Sequence, residues 1–143
     1  MAHIVMADDG IAFAIVPLSG IAFFAVVFAL AIASIRRPDT HKRLMLLAGI
    51  SLLDAAVARW FLTFLAPPGP AGPPPVPVTI PPAIIAYLLL VVAIVHDWRT
   101  RGRPHPVYVY GGGALIAVKF LNWPISNTSL WHSFAGGILA MAQ

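Results

Sequence analysis

The chain has 143 residues, of which 59% are hydrophobic and 10% are charged, with a formal net charge of +4. Soluble domains carry about 25% charged residues, so this composition excludes a water-soluble surface and predicts that lipid surrounds most of the chain. The absence of cysteine excludes disulfides, thiolate catalysis and cysteine-based metal sites.

Four apolar runs follow one another along the chain, and we interpret each as a membrane-spanning helix. A helix needs about 20 residues to cross a hydrocarbon core roughly 30 Å thick. Backbone groups in lipid must be paired within the chain, which favours helices, and no run shows the alternation of a barrel strand. The sequence therefore predicts an all-α, single-domain transmembrane bundle of four spans, at residues 11–35, 42–66, 79–97 and 106–123.

Basic residues collect in two of the predicted turns. Seven of the nine lysines and arginines lie at positions 36–43 and 99–103. The positive-inside rule then places these turns in the cytoplasm and both termini on the opposite side of the membrane. We expect these cations to act as a topology signal and to contact anionic lipids, and we expect no binding of nucleic acid.

The predicted outer loop, residues 67–82, contains nine prolines in the sequence PPGPAGPPPVPVTIPP. Such a density favours an extended, polyproline-like segment. One interpretation is a stiff connector between two spans. The other is a docking strap for a neighbouring subunit, because an extended proline-rich segment is already ordered before it binds.

The C-terminal sequence predicts a short interfacial helix over residues 126–142, with N-cap candidates at residues 126–129 and apolar residues at near-helical spacing. Aromatic rings and snorkelling cations concentrate at the headgroup level of a membrane. We therefore expect five side chains to anchor the bundle at its two surfaces: Arg59, Trp60, Trp98, Trp123 and Trp131.

Two opposite charges stand in the middle of predicted spans. Asp54 lies 12 residues after Lys42, which is about 18 Å along a helix, and Lys119 lies 13 residues after Pro106, about 20 Å. A lone charge at mid-membrane costs about 2.5–3.5 kcal/mol. We therefore predict that Asp54 and Lys119 form an ion pair between the second and fourth spans, serving either a purely structural role or a proton relay.

Two stretches carry a resemblance to known proteins: RPDTHKRLMLLAGISLLDAAVARW, which begins at Arg37, and HDWRTRGRPHPVYVYGGGALI, which ends at Ile116. They resemble a family of uncharacterised bacterial polytopic membrane proteins, in which an HKRLMLLA-like stretch opens one helix and a TRGR-x-HP stretch opens a later one. The resemblance implies a bacterial origin and a multi-span topology, and it brings no activity with it. We therefore expect a bacterial inner membrane, with both termini in the periplasm.

Histidines provide an alternative interpretation, because small helical membrane proteins often hold b-type haem between two of them. His41 and His96 share the predicted cytoplasmic side. Both stand beside cations at headgroup depth, which favours interfacial imidazoles that bind water, lipid or a carbonyl. We expect bound lipids and no cofactor, with haem b on His41 and His96 as the alternative.

No motif for catalysis or phosphate binding occurs in the sequence, and the glycines at 111–113 favour close helix packing. We therefore expect a non-enzymatic accessory subunit of a larger bacterial inner-membrane complex, respiratory or photosynthetic, that contacts other membrane subunits. Two alternatives stay open: a b-type haem electron carrier, and a small proton or ion pathway through Asp54.

Overall fold

The computed structural model describes residues 2–65 and 72–141, with side chains for residues 9–65 and 72–138. Positions 67–71 of the predicted loop and position 142 of the predicted tail lie outside the described residues. The described part is helical and contains no strand. Its five helices are α1 (Ala2–Ala33), α2 (Pro38–Phe64), α3 (Ile80–Arg101), α4 (Gly112–Ser126) and α5 (Ser129–Met141).

Three segments are long and apolar enough to cross a membrane: Asp9–Ala33, Pro38–Phe64 and Val76–Arg101. The fourth predicted span, residues 106–123, corresponds to α4 and to the π-helical turn Val107–Gly111 that leads directly into it. Helix α4 alone has 15 residues, about 22 Å, which is less than a hydrocarbon core.

The ends of three helices differ from the predicted boundaries. Helix α1 covers Ala2–Ala33, whereas its predicted span covers residues 11–35. Helix α2 begins at Pro38 and not at residue 42, because proline fits the first turn of a helix, where its missing N–H has no partner in any case. Helix α3 continues past residue 97 to Arg101 and ends at Gly102, whose positive φ of 72° suits glycine and whose N–H donates to the Trp98 carbonyl at 2.9 Å. Several basic residues assigned to turns are therefore helical.

The predicted proline loop is only partly extended. Pro75 has φ −58° and ψ 143°, which is polyproline geometry. A 3-10 turn then covers Val76–Thr79, and α3 begins at Ile80. The predicted start of the third span at residue 79 agrees with the start of α3 at Ile80. The overlapping prediction of a loop as far as residue 82 is wrong, because Pro81 and Pro82 occupy the first turn of a helix.

The helices form one bundle in which α1 packs against α2, α4 and α5, while α3 packs against α2 and also contacts α4. Alanines lie where the helices meet: Ala31 on α1, Ala48 on α2, and Ala83 and Ala86 on α3 are almost fully buried. Small side chains at these contacts let the helix axes approach closely.

The predicted packing role of the glycine run is confirmed at two of its three positions. A Cβ on Gly111 would collide with Leu47, and a Cβ on Gly112 would lie 2.7 Å from Leu90 Cδ2. Gly113 has no atom within 4 Å of such a Cβ. Two glycines therefore bring the start of α4 against α2 and α3.

The bundle has two distinct ends. The basic end carries the turns at residues 34–37 and 102–106. A hydrogen bond from Arg101 Nη2 to Asp39 Oδ1, 3.0 Å long, joins the helices that border these turns. We call the proline end the opposite one, where Pro73–Pro77 lie beside Phe13 of α1 and Trp123 of α4. Helix α5 lies near this second end, and Trp131 Nε1 donates to the Ile11 carbonyl at 2.8 Å.

Candidate functional site: two buried ion pairs

Helix α2 places two charges on the face that points into the bundle. Arg43, Leu47, Ile50 and Asp54 follow one another at steps of four, three and four residues, which keeps them on one side of a helix. Arg43 and Asp54 are 11 residues apart, about 16 Å along the axis. Each charge meets a partner on a different helix.

The structure brings Asp54 and Lys119 together in the interior of the bundle. Lys119 Nζ lies 2.9 Å from Asp54 Oδ2 and 3.2 Å from Asp54 Oδ1. The side chains are 6% exposed for Lys119 and 15% for Asp54. Two charges that sequence counts place at similar depths are thus in direct contact, from α2 across to α4.

Further polar side chains surround this pair. The Tyr87 hydroxyl of α3 lies 3.4 Å from Asp54 Oδ2, and Asn122 Nδ2 donates to Ser19 Oγ at 2.9 Å. Ser51 Oγ donates to the Ala48 carbonyl one turn earlier in α2. These groups, with Asp54 and Lys119, line a cavity of about 20 Å³, which we call the chamber.

A second buried ion pair lies near the basic end and was missed in the sequence. Arg43 Nε donates to Asp97 Oδ2 at 2.8 Å, and Arg43 Nη2 donates to Asp97 Oδ1 at 2.7 Å. Arg43 Nη1 also donates to the Asp39 carbonyl at 2.6 Å. The side chains are 6% and 4% exposed, so this bidentate pair joins α2 to α3 inside the protein.

The burial of Arg43 corrects part of the predicted basic cluster. Arg43 does not stand in an exposed turn available to lipid, because α2 already begins at Pro38 and directs this side chain inward. Lys42 and Arg101 stay exposed and both contact Asp39, at 2.9 and 3.0 Å. These three exposed, charged side chains thus lie outside the buried pair of Arg43 and Asp97.

An apolar layer separates the two pairs. Leu47 and Ile50 of α2, Leu90 of α3 and Leu115 of α4 are all at most 5% exposed and belong to one core cluster. The side chain of Tyr108 is buried in the same cluster. Apolar side chains, packed closely by Gly111 and Gly112, therefore lie between the two charge sites.

His105 lies in the turn beside the basic-end pair. The Val107 N–H donates to His105 Nδ1 at 3.3 Å, so this nitrogen carries no proton in that contact. Burial, and next the positive charge of Arg43, hold the pKa of His105 below its usual range. The neutral imidazole is therefore the form that fits the folded protein.

The two histidines of the haem alternative have different surroundings. His41 is half-buried, and its Nδ1 donates to the Ala31 carbonyl of α1 at 2.7 Å. His96 is exposed on α3 and lines a groove with Lys42 and Arg101 at the basic end. One imidazole faces α1, while the other opens into the groove between α2 and α3.

Four of the five predicted anchors are exposed on the bundle surface: Arg59, Trp60, Trp98 and Trp123. Trp131 is half-buried and bonded to α1, which makes it a contact between α1 and α5. Thr128 is the member of the predicted N-cap group whose hydroxyl accepts the Trp131 N–H, at 3.3 Å. The location of these side chains at a membrane surface stays a prediction.

Two features of the site had a signal in the sequence. Arg43 stands on the same helical face as Asp54, and Asp97 ends the row of small buried residues along α3. Asn122 stands three residues after Lys119 and Ser126 four after that, the spacing of one helical face.

No family model matches the chain, and the comparisons with curated proteins and with solved structures find no match either. The resemblance across residues 37–116 therefore stays a prediction.

Proposed function

We propose that the chain is a four-span, non-enzymatic accessory subunit of a larger complex in the bacterial inner membrane. The fourth span is the helical stretch Val107–Ser126, whose 20 residues correspond to about 30 Å. The cations of the basic end support a cytoplasmic location for that end and a periplasmic location for both termini.

The outer face of α1 is the observation that carries the accessory role. Four alanines at steps of three, four and four residues are exposed there: Ala22, Ala25, Ala29 and Ala33. Small residues in a row allow close approach of another helix within a membrane, where van der Waals packing and not the hydrophobic effect drives association. Ala31, by contrast, is buried within the bundle.

Helix α1 also exposes large apolar side chains beside its alanines, among them Leu18, Ile21 and Val26. The outer face of α3 differs from that of α1 in the described helix by having no exposed alanines. Its exposed side chains are large and aliphatic, and they suit contact with lipid tails: Ile84, Ile85, Leu88, Leu89, Val91, Val92 and Val95. No exposed alanine row interrupts them in the described helix. The difference favours a partner helix on the α1 side and lipid on the α3 side.

The interior supports a structural role for the buried charges. In the described part of the chain, every fully buried side-chain nitrogen and oxygen has a hydrogen-bond partner. Asp54 and Lys119 neutralise each other within the same protein, so a partner helix would not have to supply a counter-charge. Association then depends on surface shape.

The test uses two double variants of exposed alanines. Ala25→Leu with Ala29→Leu fills the α1 row, while Ala55→Leu with Ala56→Leu changes exposed alanines of α2. Each protein is purified from its native membrane in mild detergent, and the stoichiometry of co-purifying subunits and the visible spectrum are recorded. We expect the α1 variant to lose a stoichiometric partner that the wild type and the α2 variant retain.

Two results would contradict the proposal. Isolation of the wild type as a colourless monomer or dimer, without other subunits, would contradict its membership of a larger complex. A stoichiometric Soret band on the isolated chain would instead favour the haem alternative at His41 and His96.

A further inference from the structure

The buried face of α4 changes character halfway along the helix. It consists of Gly112, Leu115, Lys119, Asn122 and Ser126, at steps of three or four residues. The first two are small or apolar and lie toward the basic end. The last three are polar, and they are 7%, 4% and 2% exposed. A polar row therefore runs inside the bundle from Lys119 to the proline end.

The chamber beside Lys119 fits one water molecule. Its volume is about 20 Å³, and a water needs roughly 10–15 Å³ and two to four polar partners. The ammonium group of Lys119 has three N–H donors. Its two hydrogen bonds within the described part of the chain both go to Asp54. Ser51 and Asn122 add further polar atoms to the lining.

A larger cavity opens at the proline end, and we call it the vestibule. Its volume is about 260 Å³, and its lining includes Phe13, Pro73–Pro77, Trp123, Ser126 and Asn127. Ser126 belongs to this lining, while Asn122 belongs to that of the chamber. The two residues are one helical turn apart on the same buried face, about 6 Å along the axis.

The path is closed on the other side of the ion pair. Leu47, Leu90 and Leu115 form the apolar layer between the chamber and the basic end. Gly111 and Gly112 bring α4 so close that even a Cβ would meet Leu47 or Leu90. An apolar and tightly packed layer offers no partners to a water molecule.

We propose that the chamber is a binding site for a single water molecule in contact with Asp54 and Lys119, which exchanges with solvent through Asn122, Ser126 and the vestibule, and only from the proline end. The buried ion pair is then a hydrated site at the closed end of a one-sided path. The inference concerns the interior of the chain and does not depend on whether α1 binds a partner.

The natural chain contains no cysteine, so single cysteines report on water directly. A silver ion, which is close to a water molecule in size, binds the thiolate, and the thiolate forms in water and not in an apolar surrounding. We choose Ser126→Cys, Asn122→Cys and Ser19→Cys along the path. The matched controls are Leu121→Cys, on the exposed apolar side of α4, and Leu47→Cys, in the apolar layer.

Each variant is reconstituted in sealed vesicles, and silver nitrate is added on one side while free cysteine traps silver ions on the other. Pro73→Cys marks the proline end and Arg103→Cys marks the basic end in parallel samples. From the proline end we expect the three path variants to react roughly tenfold or more faster than both controls, because their thiols are hydrated. From the basic end they should react no faster than Leu47→Cys.

Two results would overturn the proposal: path cysteines that react no faster than Leu121→Cys from either side, or path cysteines that react from the basic end. Ser19→Cys leaves all of α4 unchanged, so the test survives if Asn122→Cys fails to fold.

Discussion

The two buried ion pairs share α2 but differ in what their charges can become. The Arg43 guanidinium stays protonated under all ordinary conditions, so its pair with Asp97 is permanently ionic. Asp54 and Lys119 can both become neutral if one proton passes from the ammonium group to the carboxylate. In this bundle the pair that keeps its charge lies nearer the basic end, and the pair that can become neutral lies farther inside.

The surroundings of the two pairs also differ, in how much freedom they leave the charged side chains. Arg43 holds Asp97 through two parallel hydrogen bonds and also donates to the Asp39 carbonyl, which fixes its geometry. Lys119 contacts both oxygens of Asp54, and this pair borders a cavity with a tyrosine hydroxyl close by. The first pair is a rigid connection between helices, and the second has room to rearrange.

The largest effect is expected at the permanently ionic pair. Asp97→Ala leaves the Arg43 guanidinium buried and unpaired, and breaking such a pair costs about 3–5 kcal/mol. The free energy of unfolding, followed by circular dichroism in mild detergent, measures the loss. Asp39→Ala is the control, because the Asp39 side chain is 53% exposed and exposed ion pairs contribute little. Equal losses in the two variants would contradict the distinction between a buried pair and its exposed cover.

The mid-span pair should show smaller single losses and strong coupling. Asp54→Asn and Lys119→Met each leave one charge without its partner, at a cost of about 2.5–3.5 kcal/mol. The double variant should recover part of the sum, with a coupling energy of about 0.5–3 kcal/mol. Unfolding of all four proteins under one set of conditions completes the cycle. Strictly additive losses would show that the contact contributes nothing to stability.

The layer between the pairs can be tested with glycines. Gly112→Ala places a methyl group 2.7 Å from Leu90 Cδ2, whereas Gly113→Ala meets nothing within 4 Å. Helix propensity changes equally at both positions, so the difference in unfolding free energy isolates the overpacking, which costs about 1–3 kcal/mol. Thermal unfolding of the two variants side by side measures it. Identical stabilities would mean that Leu90 moves aside freely.

The smallest effect is a pH dependence at the basic end. The pKa of His105 is lowered in the folded protein, by burial first and by Arg43 next, so the unfolded chain binds more protons than the folded one just below the ordinary value of about 6.5. Its contribution to stability is therefore complete above that pH and is lost as the pH falls toward the folded pKa. Unfolding midpoints from pH 8 to pH 5 should fall more steeply for the wild type than for His105→Asn. If the midpoints of the two proteins fell in parallel with pH, His105 would make no contribution to the pH dependence of stability.

The sequence predicts the pair of Asp54 and Lys119 but not the pair of Arg43 and Asp97, and the reason is physical. Asp54 and Lys119 stand out because each interrupts a long apolar run, and a constant rise per residue converts position into depth. Arg43 and Asp97 lie where an apolar run meets a cluster of charges, so composition alone assigns them to the solvated turn. Buried Arg43 and exposed Lys42 differ only in the face of α2 on which they lie. Arg43 shares the face of Asp54 because α2 is already helical from Pro38 onward.

The same reasoning explains the other differences. The helical nature of the chain and the packing of Gly111 and Gly112 follow from composition and residue size. The start of α3 at Ile80 follows from the apolar run, since the predicted third span begins at residue 79. The 3-10 turn Val76–Thr79 does not follow, because proline density favours an extended chain. The chamber depends on four helices meeting at once, and no local pattern encodes that meeting. The four helices contribute Ser19, Ser51, Tyr87 and Asn122 in chain order.

The attachment of both ion pairs to α2 has a consequence for the order of biosynthesis. Arg43 leaves the ribosome 54 residues before Asp97, and Asp54 leaves it 65 residues before Lys119. At about 5–20 residues per second, Asp54 is without its counter-charge for roughly 3–13 s. If α2 entered the proposed membrane alone during this interval, it would carry the cost of a lone charge, about 2.5–3.5 kcal/mol. We therefore expect the arrival of α4 to stabilise the inserted position of α2.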